Sequence, residues 1–191
     1  MKKLLLGAVI GALIAAIGLY VYQRTGSSAA PAGPVDTAGS SLTAASKGKT
    51  DAGAALRTSK MAGTILTVKN GESIQAAVSK AKPGDTIQVM PGLYKETVYI
   101  DKDNIAIIGV IDKGNWPVMD GERKLNDAIL YSGSGIRIEN MKIVHYKGNA
   151  IMGQAGNNFV IRYNWIVDTG VYGIFPQFGK NGLVEYNVIS G

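Results

Sequence analysis

Two residues that could perform acid/base chemistry stand 23 positions apart in the sequence, His145 and Asp168. His145 is the only histidine of the chain and lies in the stretch "IVHYKGN". If 23 residues complete one structural repeat, the two side chains are stacked neighbours in equivalent turns. A carboxylate that holds an imidazole in one tautomer prepares it to transfer protons. We therefore predict His145 and Asp168 as candidate catalytic residues; the alternative is a surface turn with an incidental ion pair.

A second group of side chains is suited to binding a sugar chain. Gln154, Phe175 and Gln177 occupy outward positions of predicted strands, and Tyr146 and Tyr172 lie in the adjoining turn. Aromatic faces beside amide groups offer stacking and hydrogen bonds to a saccharide. These residues predict a binding surface. We predict Gln154, Tyr172, Phe175 and Gln177 as its substrate-binding residues. The alternative is structural: the two glutamines form an amide ladder and Phe175 packs under a loop.

The spacing of 23 recurs throughout the C-terminal part of the chain. When residues 138–168 are aligned with residues 161–191, ten of 31 positions are identical, whereas average composition gives roughly two. The segment is rich in Ile, Val, Tyr and Asn, and apolar and polar residues alternate over short stretches, which favours strands over helices. A third copy of the pattern begins at "NGLVEYNVIS". The repeat therefore consists of short strands joined by turns.

Three short strands and three turns make one coil of about this length, and coils stack about 4.8 Å apart. The sequence thus predicts an all-β fold, a parallel β-helix with three strands per coil and a period of about 23 residues. Asn164 and Asn187 are predicted to stack as an amide ladder along a tight turn. Three inward columns are predicted, Ile138/Ile161/Val184, Ile143/Ile166/Ile189 and Ile129/Ile151/Ile174.

A capping helix is predicted before the coils. In "NGESIQAAVSKAKPGD", apolar residues lie on one helical face over residues 73–81, and Pro83-Gly84 ends the pattern. Such a helix covers the open end of the core, which protects the first strands from aggregation. "TIQVMPGLYKETVYI" is predicted as two strands broken at Pro91-Gly92, and "NIAII" as the start of the next coil.

The succession "ESIQAAVSKAKPGDTIQVMPGLYKETVYIDKDNIAIIG" and the Asn-centred coils after it resemble right-handed parallel β-helix proteins of the pectin-lyase-like superfamily, over about residues 64–191. The resemblance implies right-handed coils, polysaccharide-directed enzymes and a groove beside the turn of His145 and Asp168. The sequence leaves the cofactor unknown; Ca²⁺ is the candidate that the resemblance offers, because the pectate lyases of the superfamily use carboxylate-bound Ca²⁺ and a basic Arg, whereas its polygalacturonases use paired aspartates. The sequence has no Asn-Thr-Asp, Asp-Asp, Gly-His-Gly or Asp-Pro-His-Asp motif, and no metal ligands are predicted.

Glu139, Arg162 and Glu185 form a further column of alternating charge, each one repeat from the next. Opposite charges on neighbouring strands stabilise a sheet by about 0.2–1 kcal/mol per pair. We interpret the column as a solvated ladder on an outer face. The alternative is a lyase site, in which Arg162 would act beside Ca²⁺-binding acids.

The N-terminal third has the composition of an anchor and a tether. Residues 4–22 are uncharged and mostly apolar after Met1-Lys2-Lys3, about the length that crosses a bilayer as a helix. Residues 1–24 are therefore predicted as an uncleaved membrane anchor, or alternatively as a cleaved signal segment. Residues 25–61, dominated by Ala, Gly, Ser and Thr, are predicted as a flexible, disordered linker. Residues 62–191 form the β-helix domain, which the uncapped third repeat predicts to be truncated.

Charge and cysteine content narrow the possible functions. The chain carries a net charge of +6, of which +5 belongs to residues 1–61 and +1 to residues 62–191, so a nucleic-acid partner is not predicted. There is no cysteine, which excludes disulfides and thiolate sites. We expect an exported, membrane-tethered protein facing the periplasm or extracellular space that binds or processes a polysaccharide as a lyase, hydrolase or epimerase. The alternative is a non-catalytic β-helix that serves as a binding or scaffold module.

Overall fold

The computed structural model describes residues 53–191, which contain short β-strands and a helix, α1, at Ile74–Lys80. Residues 53–58 are also helical. The strands are β1 (Ile65–Val68), β2 (Thr86–Val89), β3 (Gly92–Tyr94), β4 (Val98–Ile100), β5 (Ala106–Gly109), β6 (Pro117–Asp120), β7 (Ile129–Tyr131), β8 (Arg137–Glu139), β9 (Lys142–Val144), β10 (Ile151–Gly153), β11 (Val160–Arg162), β12 (Trp165–Val167), β13 (Ile174–Pro176), β14 (Leu183–Glu185) and β15 (Val188–Ser190).

The strands form three parallel sheets that the chain visits in turn. Sheet A has the order β1-β2-β5-β8-β11-β14, sheet B the order β3-β6-β9-β12-β15, and sheet C the order β4-β7-β10-β13. From β2 to β13 the chain contributes one strand to each sheet before it returns to sheet A, whereas β1 is followed by helix α1 and then by β2 of the same sheet. The protein is therefore an all-β parallel β-solenoid of about five turns with a period of about 23 residues, which confirms the predicted fold at this level.

The predicted inward columns are confirmed by the strand register. Ile161 pairs with Ile138 on one side and with Val184 on the other, and the columns through Ile166 and Ile151 are formed in the same way. Ile138 and Ile161 are fully buried, whereas Val184 in β14 is 47% exposed. Burial thus depends on a neighbouring strand on both sides.

The coils differ in length, although the last ones keep the 23-residue period. Ile107 pairs with Ile138, which lies 31 residues further along the chain. The extra residues of this coil lie in the loops around β6, including a tight turn at 112–115. This insertion hides the repeat in the first half of the sequence.

Helix α1 has the predicted position and is held at both ends by the first coil. Ser73 is the N-cap, and its side chain accepts a hydrogen bond from the Ala76 amide. The Glu96 carboxylate accepts hydrogen bonds from the Ser73 hydroxyl and from the Ile74 and Gln75 amides, at 2.7–3.1 Å. At the other end Lys102 Nζ donates to the carbonyls of Val78, Ser79 and Ala81. Opposite charges thereby satisfy the unpaired backbone groups of the two helix ends.

The stretch predicted as two strands contains three, which corrects that interpretation. The chain turns once at Met90-Pro91 between β2 and β3, and again at residues 95–97 between β3 and β4. The second corner carries no proline or glycine and left no turn signal in the sequence. Its central residue, Glu96, faces the N-terminus of α1, so this corner is fixed by the helix that it caps.

The asparagine ladder forms as predicted. Asn164 is 1% exposed, and its side-chain carbonyl accepts a hydrogen bond from the Met141 amide at 3.0 Å. Its Nδ2 donates to the Ile138 carbonyl at 3.1 Å and to Asn187 Oδ1 at 3.0 Å. Each asparagine therefore satisfies backbone groups of the preceding coil that stacking removes from water.

The charged column of sheet A is not solvated, which corrects the interpretation made from the sequence: Glu139 is buried, and Arg162 and Glu185 are partly buried. Glu139 is only 7% exposed, and Arg162 Nε lies 3.0 Å from its carboxylate. The cover is the helical segment 53–58, part of the predicted linker. Arg137 Nη2 donates to the carbonyls of Leu56 and Ser59, both at 2.8 Å. A cation at the end of a helix satisfies carbonyls that lack helical partners.

The predicted membrane segment, residues 4–22, and most of the predicted linker lie outside the described residues. Within residues 53–191 no helix is both long enough and apolar enough to span a bilayer.

We predict that Asn164→Ala destabilises the domain by about 3 kcal/mol, because it leaves buried backbone groups without partners. Asn157→Ala is the matched control: its side chain also accepts a hydrogen bond from the next coil, at Lys180 N, but in an exposed position. The control should cost about 1 kcal/mol or less. Urea denaturation followed by circular dichroism measures both; equal losses would contradict the role given to the buried ladder.

Candidate functional site

The two predicted catalytic residues lie at the corner between sheets B and C. His145 directly follows β9 and Asp168 directly follows β12. Both adopt left-handed backbone angles, with φ of 56° and 55°. This conformation is uncommon for side chains other than Asn, Asp and His, and its repetition gives the two corners the same shape. The stacked placement expected from the 23-residue spacing is therefore present.

The imidazole of His145 stands between two carboxylates. Its Nδ1 lies 3.0 Å from Asp120 Oδ1, within hydrogen-bond distance, and its Nε2 lies 4.0 Å from Asp168 Oδ2. The second distance is longer than a hydrogen bond, so Nε2 is not committed to Asp168. Arg123 forms an ion pair with the same Asp168 oxygen. We refer to Asp120, Arg123, His145 and Asp168 as the corner cluster.

The environment of Asp120 favours its charged form. Burial opposes ionisation, but the Glu122 amide and the His145 imidazole donate to its carboxylate and together hold the pKa of Asp120 below its ordinary value. The Glu122 amide lies 2.8 Å from Asp120 Oδ1. In a neutral imidazole, an anionic Asp120 favours the tautomer with the proton on Nδ1 and leaves Nε2 free. The corner cluster can therefore present Nε2 as a proton acceptor.

A small groove lies beside the corner cluster. It has a volume of about 240 Å³ and is lined by Arg123, Tyr146, Lys147, Asp168 and Gly170. The two basic side chains and the carboxylate give it a polar rim. A group bound there would contact Asp168, one of the predicted catalytic residues.

Two members of the corner cluster, Asp120 and Arg123, were missed by the sequence reasoning. Asp120 is 25 residues from His145 and Arg123 is 45 residues from Asp168, so neither follows the 23-residue spacing. They belong to the longer coil, whose insertion shifts the register. No period in the sequence marks Asp120; its position is set by the pairing of Asp120 with Val144, the residue before His145, which only the structure shows.

The predicted substrate-binding residues lie along the outer face of sheet C. The register places Tyr99, Leu130, Met152 and Phe175 in one outward column across four strands. Tyr99 is 40% exposed, and the Tyr172 ring packs against Phe175 with the centroids 4.8 Å apart. We call these five residues the sheet C strip. It is an apolar and aromatic band on a face where strands usually carry polar side chains.

The remaining residues predicted for this surface differ in exposure. Gln154 is exposed and Gln177 is half-buried, one on each of two neighbouring coils. Their side chains form no hydrogen bond with each other among the described residues. Tyr146 does not contribute to the surface, because it is 2% exposed and its hydroxyl donates to the Glu96 carbonyl at 2.6 Å. The catalytic and binding roles of the other predicted residues stay predictions.

The described residues do not form a metal centre. Between residues 53 and 191 no group of three or more His, Asp or Glu side chains is arranged to hold an ion. A Ca²⁺ ion takes six to eight oxygen ligands, so the carboxylates of the corner cluster do not fit the site that the resemblance implies.

No family model, curated protein or solved structure matches this chain. The fold and the corner cluster therefore rest on the register and contacts described above.

We predict that Asp120→Asn lowers the stability of the domain at pH 7 and that the difference from the unaltered chain shrinks towards pH 3. Because the pKa of Asp120 is lowered on folding from an ordinary value of 3.8, its stabilisation is complete above that value and is lost as the pH falls through the folded pKa. Thermal unfolding at several pH values measures this. Asp101→Asn, at an exposed turn, is the control. A constant difference between Asp120→Asn and the unaltered chain from pH 7 to pH 3 would contradict the assignment.

Proposed function

We propose that the chain is an exported, membrane-tethered protein of the pectin-lyase-like type, with right-handed coils, that engages a polysaccharide along the sheet C strip. One observation carries the proposal: the outward column of sheet C is apolar and aromatic and is bordered by amide side chains. Neighbouring strands are about 4.8 Å apart, so four strands give a band about 14 Å long. An elongated band of this kind suits an extended chain of sugars better than a compact ligand.

The binding mode follows from the side chains of the strip. The Tyr172 and Phe175 rings offer faces for the apolar side of a pyranose ring. Gln154 and Gln177 supply amide donors and acceptors for sugar hydroxyls. A few polar groups beside an apolar surface are typical of ligand sites.

The corner cluster supplies the chemistry of the enzymatic version of this proposal. His145, held by Asp120, acts as the acid/base residue through Nε2, and Asp168 orients the substrate or stabilises the imidazolium. Proton abstraction from a sugar carbon would serve a lyase or an epimerase, and protonation of a leaving oxygen would serve a hydrolase. Ca²⁺ enters only by resemblance, and no step is derived through it because the carboxylates present do not fit its coordination.

A non-catalytic binding or scaffold module is the second candidate. The observation that favours it is the internal pairing of the corner cluster: Asp120 accepts from the Glu122 amide and contacts His145, while Asp168 pairs with Arg123. Such pairing also serves to fix a turn. Under this candidate the sheet C strip binds a polysaccharide and nothing reacts.

The placement at a membrane rests on the sequence of residues 4–22. Under the proposal residues 4–22 anchor the chain in the membrane, and the basic residues Lys2 and Lys3 stay on its inner side. Residues 25–61 tether the β-solenoid outside the membrane. A cleaved signal segment would export the same domain in secreted form.

Phe175→Ala is expected to weaken binding of oligosaccharides about tenfold, equivalent to about 1.4 kcal/mol, because the stacking face is removed. Calorimetric titration with a panel of neutral and acidic oligosaccharides measures the affinity. Ile65→Ala is the matched control, since Ile65 is a similarly apolar residue, 61% exposed, on sheet A. No binding of any saccharide by the unaltered chain would contradict the proposed function.

His145→Ala is expected to lower the turnover of a polysaccharide by 10²–10⁴-fold, the usual contribution of an acid/base residue. The assay follows unsaturated-product absorbance and reducing ends from uronate polymers, with and without Ca²⁺. His145→Gln is a second variant, which keeps hydrogen-bonding capacity without proton transfer. Binding without turnover by the unaltered chain would favour the scaffold candidate over the enzyme.

A further inference from the structure

A groove on the outer face of sheet B brings together the only two tryptophans of the chain, Trp116 and Trp165. Their ring centroids are 6.0 Å apart and their planes meet at 73°, an edge-to-face arrangement. Lys142 Nζ lies 3.7 Å from the centroid of the Trp165 ring. Neither tryptophan belongs to the sheet C strip or to the corner cluster. We call this site the indole groove.

The groove has an apolar floor and an indole wall. Leu93, Val118, Lys142 and Trp165 follow one another in the outward column of sheet B. Leu93 is 47% exposed and Trp165 is 37% exposed. The cavity has a volume of about 530 Å³, within the range of small-ligand sites. Its lining is completed by Pro91, Gly92, Gly114, Asn115 and Trp116.

The wall of the groove is fixed by backbone geometry. Asp112 and Asn115 exchange two backbone hydrogen bonds of 3.1 and 2.8 Å, and Lys113 and Gly114 between them both have positive φ. Two consecutive residues of this kind make a tight turn. Trp116 follows directly, so its indole is presented from a closed turn on the longer coil. A pre-ordered wall reduces the entropy cost of binding.

Lys142 brings a positive charge that no carboxylate among the described residues neutralises within 4 Å. Its contact with the Trp165 ring stabilises the ammonium group without cancelling its charge. Every other side chain that lines the groove is uncharged. The groove is therefore complementary to a ligand that has one apolar face and one negative charge.

We propose that the indole groove binds an acidic sugar residue, with the apolar face of the ring against the floor and the wall and the carboxylate on Lys142. The choice of a sugar rests on the proposed function, but the site is a second one, on a different face from the sheet C strip. A shallow groove with a defined turn as its wall matches a ring-sized ligand in volume.

Tryptophan fluorescence reports on this groove alone, because the chain has no other tryptophan. Titration of the 191-residue chain with a galacturonate trisaccharide should change the emission, and the methyl ester of the same trisaccharide, which lacks the charge, should bind at least tenfold more weakly.

Lys142→Met should reduce binding of the acid to the level of the ester, and the affinity of the unaltered chain for the acid should fall with salt. Lys180→Met, an exposed lysine in another turn, should leave it unchanged. Trp116→Phe keeps Trp165 as a single reporter.

Three outcomes would overturn the proposal. The first is constant emission at millimolar acid, and the second is equal affinity for the acid and its ester. The third is an emission change with anionic vesicles but with no oligosaccharide, which would assign the groove to a membrane surface. Calorimetry on Phe175→Ala separates this proposal from the proposed function. If saccharide binding depends on Phe175 while the tryptophan emission stays constant, the proposal for the indole groove is wrong and the proposal for the sheet C strip stands.

Discussion

Each strand of the described coils must accept its neighbours in parallel register, at a spacing of about 4.8 Å. The rule applies to every side chain at once. Inside, it selects branched apolar residues that stack on their own kind, as in the column of Ile138 and Ile161. At the corner before sheet B it selects asparagine, because Asn164 satisfies the coil before it and is satisfied by Asn187. One constraint thus accounts for the core and for the buried polar atoms beside it.

On the outside of the coils, the same register aligns equivalent residues of successive strands into columns on the surface. On sheet A it aligns Glu139, Arg162 and Glu185, and segment 53–58 covers them through Arg57 and Arg137. On sheet C it aligns an apolar and aromatic strip, and on sheet B it places a lysine beside a tryptophan. A covered charged face and two open faces with exposed aromatic rings give the solenoid distinct sides. The proposed ligands are assigned to the two open sides, where rings of the sheet C strip and of the indole groove are exposed.

The sequence was sufficient to predict the coils, their inward columns, helix α1 and the asparagine ladder, because each depends on a period or on a local cap. It failed where contacts depend on residues far apart in the chain. The sequence predicts a solvated Glu139, because the segment that covers it has the composition of a linker. Leu56 and Ser59, which accept hydrogen bonds from Arg137 beside Glu139, lie 81 and 78 residues before that arginine in the chain. Asp120 and the Trp116 wall belong to the longer coil, where the insertion breaks the spacing that located His145 and Asp168. Side-chain contacts across an irregular coil can be predicted only when the strand register is known.

The account depends most on Met152 and Phe175 lying directly opposite each other on neighbouring parallel strands. The chain has no cysteine, so the double variant Met152→Cys/Phe175→Cys places a single pair of thiols at this position. Opposite residues are about 4.8 Å apart, within the range that a disulfide spans, whereas Met152→Cys/Gln177→Cys is two residues out of register and too far apart. The account predicts that mild oxidation closes a disulfide in the first variant and not in the second, as measured by mass spectrometry of the linked peptides. Closure in the second variant, or in neither variant, would contradict it.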